Sequence, residues 1–287
     1  MNNYRNQWKA ISVPFRTISA GYDRKFRISN KVFSGGIYIV NDNSGAISLD
    51  VNKIYLSAGY KHNYNGHDFY FGIQPGFVLK SYTTENLTFP DQFNMSTGYF
   101  DNSLNSNETN LDQNLSYFDI NIGAAWSKNY QKFTPFVGLS VFHLNFPKET
   151  YLPDNNKLPA RIALYGGGSY SITDRVFFEP HLLYMRHKRA TEFLLGGNFG
   201  YKLPENQYKI KAIYAGPLYR DGLNFRTDAL IGIIGIRIYK FDIGFSYDMN
   251  ISDLHTSTTV KGAFEFSLIY IGSISPLSKI TIPCDRY

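Results

Sequence analysis

The sequence predicts an all-β protein, a transmembrane antiparallel β-barrel of about fourteen strands. Apolar and polar side chains alternate along many segments, as they do in strands whose two faces meet different surroundings. The clearest runs have ten to thirteen residues, which suits the ~9–11 residues of a membrane-crossing strand. Small and polar residues occupy the second face, which suits the wet or partly obstructed lumen of a large barrel.

Three segments show the alternation most clearly. In residues 239–250, YKFDIGFSYDMN, aromatic and aliphatic side chains take every odd position, and small, polar or charged ones take every even position. Residues 118–127 and 68–80 repeat the pattern. Pro75 interrupts the last run and has no N–H to donate, so we expect a bulge or a local break in the strand there.

The remaining strands are weaker in pattern but follow one another along the chain. Turn-rich pieces at 41–45, 63–68, 203–207 and 220–222 separate many of them. No long amphipathic helix is predicted. The further strands are expected near 14–24, 32–40, 46–62, 133–144, 160–173, 175–187, 190–202, 208–219, 223–238 and 258–270.

Composition restricts the function classes. Aromatic residues make up 17% and charged residues 18% of the chain, and the net charge is +6. The Lys and Arg residues are dispersed and form no run typical of nucleic-acid binding. Cys284 is the one cysteine, so the chain cannot form an internal disulfide.

The alternative fold is a large soluble β-sandwich with its apolar faces packed together. Aromatic residues near the ends of the runs, such as Phe118, Trp126, Tyr239 and Tyr270, favour the barrel because membrane barrels carry interfacial aromatic girdles. Lipid offers the backbone no hydrogen-bond partner, so a sheet that crosses a membrane must close on itself.

One segment, residues 83–114, differs from the rest. It is rich in Asn, Ser and Thr, carries five acidic residues and has no Lys or Arg. Long loops are often functional, and this one could be a partner-binding surface, an inward-folded plug or a solvated loop. Aromatic residues can anchor a protein contact. The candidate partner-binding residues are Phe89, Asp91, Phe93, Tyr99 and Phe100.

No catalytic, cofactor or metal site is predicted. Glu179 and His181 share a strand face, but His187 lies ~20 Å further along at ~3.3 Å per residue, so too few ligands converge for a metal. These residues are expected to line the lumen. The sequence has no G-x-S-x-G motif, and GGGS at 166–169 lies in a predicted strand. A second irregular stretch, 146–159, contains three prolines.

A set of short stretches distributed in order along nearly the whole chain is informative when taken together. The stretches are YRNQW (4–8), GGIYIVNDNSG (35–45), FGIQPGF (71–77), VGLSVFHLNFP (137–147), FFEPHLLY (177–184), GFSYDMNISDL (244–254), GAFEFSLIY (262–270) and IPCDRY (282–287). In this order they resemble the PorP/SprF family of outer-membrane proteins from the type IX secretion and gliding machinery of Bacteroidota. Asp285 stands where the family usually has proline.

The resemblance implies an outer-membrane barrel that pairs with specific type IX cargo. It also implies links to a peptidoglycan-associated lipoprotein and other components of the secretion machinery. We therefore expect residues 1–287 to form a single barrel in contact with outer-membrane lipid, with a long acidic loop at 83–114 and a C-terminal tail at 271–287. Its expected role is non-enzymatic: to bind or retain secreted cargo at the cell surface, with a part in gliding motility.

Two alternatives remain, a porin-like passive channel and, less favoured, a barrel enzyme. Residues 2–12 have no apolar core of a signal peptide. Because an outer-membrane protein needs a leader, we expect the given sequence to begin late, within the first strand.

Overall fold

Fourteen antiparallel strands close into a barrel in the described part of the chain. The computed structural model describes residues 1–7, 14–44, 49–82, 88–101, 103–104, 114–151, 155–204, 208–222, 226–252 and 261–272. Each strand pairs with its neighbours in the chain, and β1 pairs with β16 to close the sheet. A separate two-stranded ribbon, β6 and β7, lies in the loop between β5 and β8. The strands are β1 (Asn2–Gln7), β2 (Phe15–Ile28), β3 (Lys31–Ser44), β4 (Leu49–Tyr64), β5 (His67–Ser81), β6 (Phe93–Asn94), β7 (Tyr99–Phe100), β8 (Asn114–Lys128), β9 (Phe133–Phe142), β10 (Arg161–Ser171), β11 (Val176–His187), β12 (Ala190–Lys202), β13 (Ile210–Gly222), β14 (Arg226–Ile238), β15 (Phe241–Asn250) and β16 (Lys261–Tyr270).

The predicted fold class is confirmed, and each of the thirteen strands expected from the sequence corresponds to one barrel strand. The fourteenth is β1, whose ladders to β2 and β16 are only six residues long. Some boundaries differ: 239–240 form a turn before β15, whereas the turn expected at 220–222 is the end of β13. Among the described residues, no helix is long and apolar enough to cross a bilayer.

Most of the large apolar side chains of the strands point away from the barrel axis. On β15, Phe245 is 42% exposed on the outer wall, while Asp248 on the inner face is 1% exposed. On β5, Phe71 and Phe77 are exposed outside, and Val78 is buried inside. An apolar outer wall around a closed sheet is the arrangement that lipid requires, and it rules out the soluble sandwich.

Pro75 interrupts the hydrogen-bonded ladder between β5 and β4 without changing the register of the two strands. On the β8 side, pairing runs continuously through Pro75 opposite Ile120. On the β4 side, pairing stops after Tyr55 opposite Gly76 and resumes at Ala58 opposite Ile73 in the same register. Of the two expected outcomes the structure has the local break, because proline cannot donate the missing hydrogen bond.

The two ends of the barrel differ in their connections. At the short-turn end the strands join through 29–30, 65–66, 129–132, 172–175, 203–209 and 239–240; at the long-loop end they join through 8–14, 45–48, 82–113, 143–160, 188–189, 223–225 and 251–260. Asn65 and Gly66 have φ of 49° and 78°, which is the left-handed backbone that a tight hairpin needs. β1 begins and β16 ends at the short-turn end.

Glycine residues on the inner face allow aromatic rings of neighbouring strands to pack closely against the barrel wall. The Tyr55 ring lies against Gly76 on the neighbouring strand, where a Cβ atom would overlap it. An inward-facing aromatic ring can therefore lie flat along the wall. The same contact recurs at Phe177 over Gly200 and at Tyr214 over Gly235.

Two predicted features lie largely outside the described residues. Only 271–272 of the C-terminal tail 271–287 are described, and of the acidic loop 83–114 the described residues are 88–101, 103–104 and 114. That residues 1–287 form a single domain stays a prediction.

Candidate functional site at the long-loop end

Three of the predicted contact residues lie together in the ribbon. Phe93 on β6 pairs with Phe100 on β7, and their ring centroids are 5.2 Å apart at an interplanar angle of 69°. Tyr99 is the neighbouring residue of β7. The turn between the strands closes where the N–H of Gly98 donates to the carbonyl of Asn94 at 2.8 Å, with Gly98 at φ 74°.

Gln92 holds the loop around the ribbon together. Its side chain is buried, with Oε1 accepting from the N–H of Phe89 at 3.0 Å and Nε2 donating to the carbonyl of Leu104 at 3.0 Å. Its own carbonyl accepts from the N–H of Asp101 at 2.8 Å. Asp91 is exposed beside it in a short 3₁₀ turn, Pro90–Gln92, and Phe89 is half-buried. The ribbon is therefore fastened to a compact base, a role for Gln92 that the sequence analysis missed.

The ribbon presents apolar surface to solvent. Tyr99 is 77% exposed and Phe100 51%. Met95, in the turn of the ribbon, is 92% exposed and was not predicted, because the composition of NMSTG indicates only a turn. Exposed apolar side chains grouped on a polar loop are typical of a contact surface.

Hydrogen bonds stabilise the ionised form of one acidic side chain in this loop, Asp101. The carboxylate of Asp101 accepts hydrogen bonds from the hydroxyl and the N–H of Ser103, at 2.6 and 2.9 Å. These bonds hold the pKa of the Asp101 carboxyl below its ordinary value. The described surface of this loop thus combines exposed aromatic side chains with negative charge.

A different loop enters the barrel. In the β9–β10 connection, Nδ1 of His143 lies 3.0 Å from Asp119, which is fully buried on the inner face. The hydroxyl of Tyr55 donates to the same carboxylate at 2.8 Å. The N–H of His143 donates to Asn121 at 3.1 Å. This cluster fixes the start of the connection against β8 and β4.

The rest of that connection covers an apolar cluster on the inner wall. Leu158 packs against the cluster, Glu149 pairs with Lys80 of β5, and the Tyr82 and Tyr151 rings meet edge to face at 5.0 Å. The cluster consists of Val51, Tyr55, Val78 and Tyr117. The described parts of this connection, 147–151 and 155–158, here together called the inward segment, therefore occupy part of the lumen at the long-loop end. The three prolines of 146–159 were the available signal, although no role was predicted for them, and a plug was one of three alternatives for the acidic loop 83–114.

Charged side chains on the inner wall pair between strands that are not neighbours. Asp248 of β15 accepts from Arg5 of β1 and from Arg220 of β13, both at 2.8 Å. Arg237 of β14 lies 2.9 Å from Glu179 of β11. The lumen is polar, but these ion pairs fill part of it.

The residues weighed as a metal site face the lumen. Glu179 is paired with Arg237, and Nδ1 of His181 lies 3.3 Å from the hydroxyl of Tyr165. The ring of His187 lies 6.4 Å from that of His143. Within the described part of the chain, no group of three or more His, Cys, Asp or Glu side chains is placed to hold a metal ion.

A comparison with known protein families identifies the family of this barrel. The family model described as type IX secretion system membrane protein PorP/SprF matches residues 1–270. The chain belongs to the PorP/SprF family. It is accordingly an outer-membrane β-barrel of the type IX secretion system, as the resemblance implied.

Other comparisons are more distant. No curated protein matches this PorP/SprF chain. Among solved structures, an engineered Rhodopseudomonas blastica porin is similar at 6% identity and a TM-score of 0.36, covering 94% of this chain and 98% of that one. A triple mutant of the same porin has 8% identity and a TM-score of 0.35, with the same coverage.

Proposed function

We propose that this PorP/SprF barrel binds and retains specific secreted cargo at the cell surface, without enzymatic activity. The contact residues are Phe89, Asp91, Phe93, Tyr99 and Phe100. The observation that carries the proposal is the exposed aromatic ribbon fastened to a base around buried Gln92. Aromatic side chains presented on a fixed base lose little entropy on binding, which makes them effective contact anchors.

The orientation of the barrel supports this assignment. Outer-membrane barrels have short periplasmic turns and longer extracellular loops. The ribbon then faces outward, where exported cargo arrives. The short-turn end faces the periplasm, where a peptidoglycan-associated lipoprotein and the secretion machinery are within reach. Retention of cargo and its connection to surface gliding would use opposite ends of one barrel.

Obstruction of the lumen favours retention over passive transport. The inward segment covers the inner wall at one end, and ion pairs between non-neighbouring strands project into the lumen below it. A porin-like channel needs an open aqueous path. Ion conductance in planar bilayers separates the two functions, because a retention barrel should pass little current.

Deleting residues 86–112 tests the cargo site. The barrel ladders do not include this segment, so we expect the variant to fold to the same heat-modifiable form in detergent. Cargo should no longer co-purify from native outer membranes, as judged by mass spectrometry of the captured proteins. A finer variant replaces Phe93, Tyr99 and Phe100 with serine.

The matched control for the finer variant is Ser96→Ala with Thr97→Ala, which changes exposed polar residues in the turn of the same ribbon. Undiminished capture of cargo by both the deletion and the triple variant would refute the proposed site. Loss of capture in the control as well would show that the shape of the turn, rather than its aromatic side chains, is recognised.

A further inference from the structure

We propose that a cavity in the lumen mouth at the short-turn end binds an acidic peptide segment of a periplasmic protein. This inference rests on the orientation given under the proposed function. The cavity has a volume of about 620 Å³. It lies between β11, β12, β13 and β14, and its lining includes Phe177, Lys202, Lys209, Lys211, Arg237 and Tyr239.

The arginine of the cavity is already neutralised. Arg237 pairs with Glu179 at 2.9 Å and with Asp242 at 3.0 Å. Its guanidinium lies over the Phe177 and Tyr214 rings, 5.2 and 5.1 Å from their centroids. This residue forms a fixed inner wall and leaves the lysines to meet a ligand.

The three lysines carry the remaining positive charge of the lining. Lys202, Lys209 and Lys211 are exposed, and none of them forms an ion pair with another described residue. Nζ of Lys209 lies 5.1 Å from the centroid of the Tyr239 ring, so an aromatic face positions it. Lys211 lies where the β13–β14 register shifts between Ile210 and Ala212. Three cations gathered around one cavity are complementary to a ligand with several negative charges.

The floor of the cavity is apolar. Phe177 and Ala212 are 2% and 3% exposed, and Leu203 and Tyr239 complete the surface. A ligand with acidic groups beside an aromatic or aliphatic side chain would use both the floor and the rim. Inorganic phosphate would leave the floor and most of the volume unused.

The position of the cavity distinguishes a peptide from a lipid. Phe177 and Ala212 face the lumen, so the floor of the cavity belongs to the inner wall of the barrel and not to the outer wall. A phospholipid would have to withdraw its chains from hydrocarbon to reach it, which is costly. A peptide from the periplasm enters without that cost.

The surrounding charge would steer such a segment toward the mouth. Besides Arg237, the described basic residues in or near the short turns are Arg24, Lys25, Arg27, Lys31, Lys61, Lys128, Lys132, Arg175, Lys202, Lys209, Lys211 and Lys240. Apart from Asp242 and Glu179, which both pair with Arg237, the described acidic residues there are Asp23, Asp68 and Asp174. A mouth of one predominant sign raises the encounter rate of an oppositely charged partner.

A binding measurement on the full chain tests the site. The barrel is placed in phosphatidylcholine nanodiscs, and the probe is a fluorescein-labelled peptide that alternates Glu and Phe. We expect binding by fluorescence anisotropy, weakened by added salt. The combined change Lys202→Gln, Lys209→Gln and Lys211→Gln should weaken binding about tenfold. A peptide with Gln in place of Glu should bind the unchanged barrel about as poorly.

The matched control removes the same charge elsewhere at the same end. Lys25→Gln, Arg27→Gln and Lys31→Gln lie around the β2–β3 turn, and they should change affinity less than about twofold. An equal loss in this control would overturn the proposal in favour of bulk charge attraction. Equally efficient displacement by inorganic phosphate, or binding only in nanodiscs of anionic lipid, would overturn it in favour of a phosphate or a lipid site.

The proposed peptide site and the proposed cargo site can be tested separately. The peptide measurement leaves residues 86–112 intact, and cargo capture by the variant of Lys202, Lys209 and Lys211 should be unchanged in detergent. A result that abolishes peptide binding but not cargo capture supports two separate sites. Loss of cargo capture in that variant would contradict the separation.

Discussion

The two ends of the barrel are built by different kinds of interaction. At the short-turn end, adjacent strands join through turns whose chemistry is local, as at Asn65 and Gly66. At the long-loop end, shape depends on contacts between residues far apart in sequence. Tyr55 meets Asp119 across 64 positions, and Lys80 meets Glu149 across 69. A sequence pattern can therefore predict the first end much better than the second.

The ends also differ in charge. Basic residues predominate among the described residues of the short-turn end, whereas loop 83–114 carries five acidic residues and no basic one. The overall charge of +6 conceals this separation. Each end thus suits a different partner, which is the physical basis for proposing two functions on one barrel.

The largest expected effect concerns obstruction of the long-loop end. The N–H of Leu158 donates to the carbonyl of Pro147 at 2.8 Å, so a Gly-Gly link can replace residues 148–157 without moving either strand. We expect single-channel conductance in planar bilayers to rise several-fold, because the lumen of a fourteen-stranded barrel is otherwise wide enough for water. If deleting 86–112 opens the channel and this replacement does not, the acidic loop is the plug instead.

The next effect concerns the charged network of the lumen. Asp248→Ala leaves Arg5 and Arg220 without their shared carboxylate, whose side chain is 2% exposed. Breaking a buried pair costs about 3–5 kcal/mol when the other charge is left uncompensated. Arg5 keeps Glu265 and Arg220 keeps Asp228, so urea unfolding followed by tryptophan fluorescence should show a loss near the lower end, about 3 kcal/mol. Asp228→Ala is the control, because that side chain is 41% exposed, and it should cost less than about 1 kcal/mol. Equal losses would mean that burial does not set the strength of the network.

A smaller effect concerns packing against the inner wall. Gly76→Ala places a Cβ atom into the ring of Tyr55, whereas Gly72→Ala on the same strand and face meets its nearest neighbour, the carbonyl of Ala58, at 3.7 Å. Overpacking costs about 1–3 kcal/mol, so the first variant should unfold at lower urea concentration and the second should not. Equal stability of the two variants would contradict the close approach of Tyr55.

The smallest expected effects come from replacing one glycine at each end of the barrel. Gly66 and Gly98 have similar left-handed backbones, with φ of 78° and 74°. Alanine there costs about 1–2 kcal/mol. Gly66→Ala should lower the stability of the barrel by that amount, since its turn joins β4 to β5. Gly98→Ala should leave barrel unfolding unchanged and weaken cargo capture; a reversed result would show that the ribbon stabilises the barrel.

The sequence by itself determined thirteen of the fourteen strands and which face of the clearest ones is apolar. A side-chain period of two is a property of the backbone, so YKFDIGFSYDMN shows which face of β15 is apolar wherever that strand lies. It also located the aromatic residues of the acidic loop. The predicted role of those residues stays a prediction, but three of them do lie together in the ribbon.

Only the tertiary structure decided what occupies the inside of the barrel. Nothing local indicates that Arg237 meets Glu179 three strands away, that Leu158 covers Val78, or that Lys202 and Lys209 share one cavity. Alternation assigns a side chain to a face, but which inward side chains meet depends on how the strands tilt and close. Those positions are set by all fourteen strands together, and no single segment contains them.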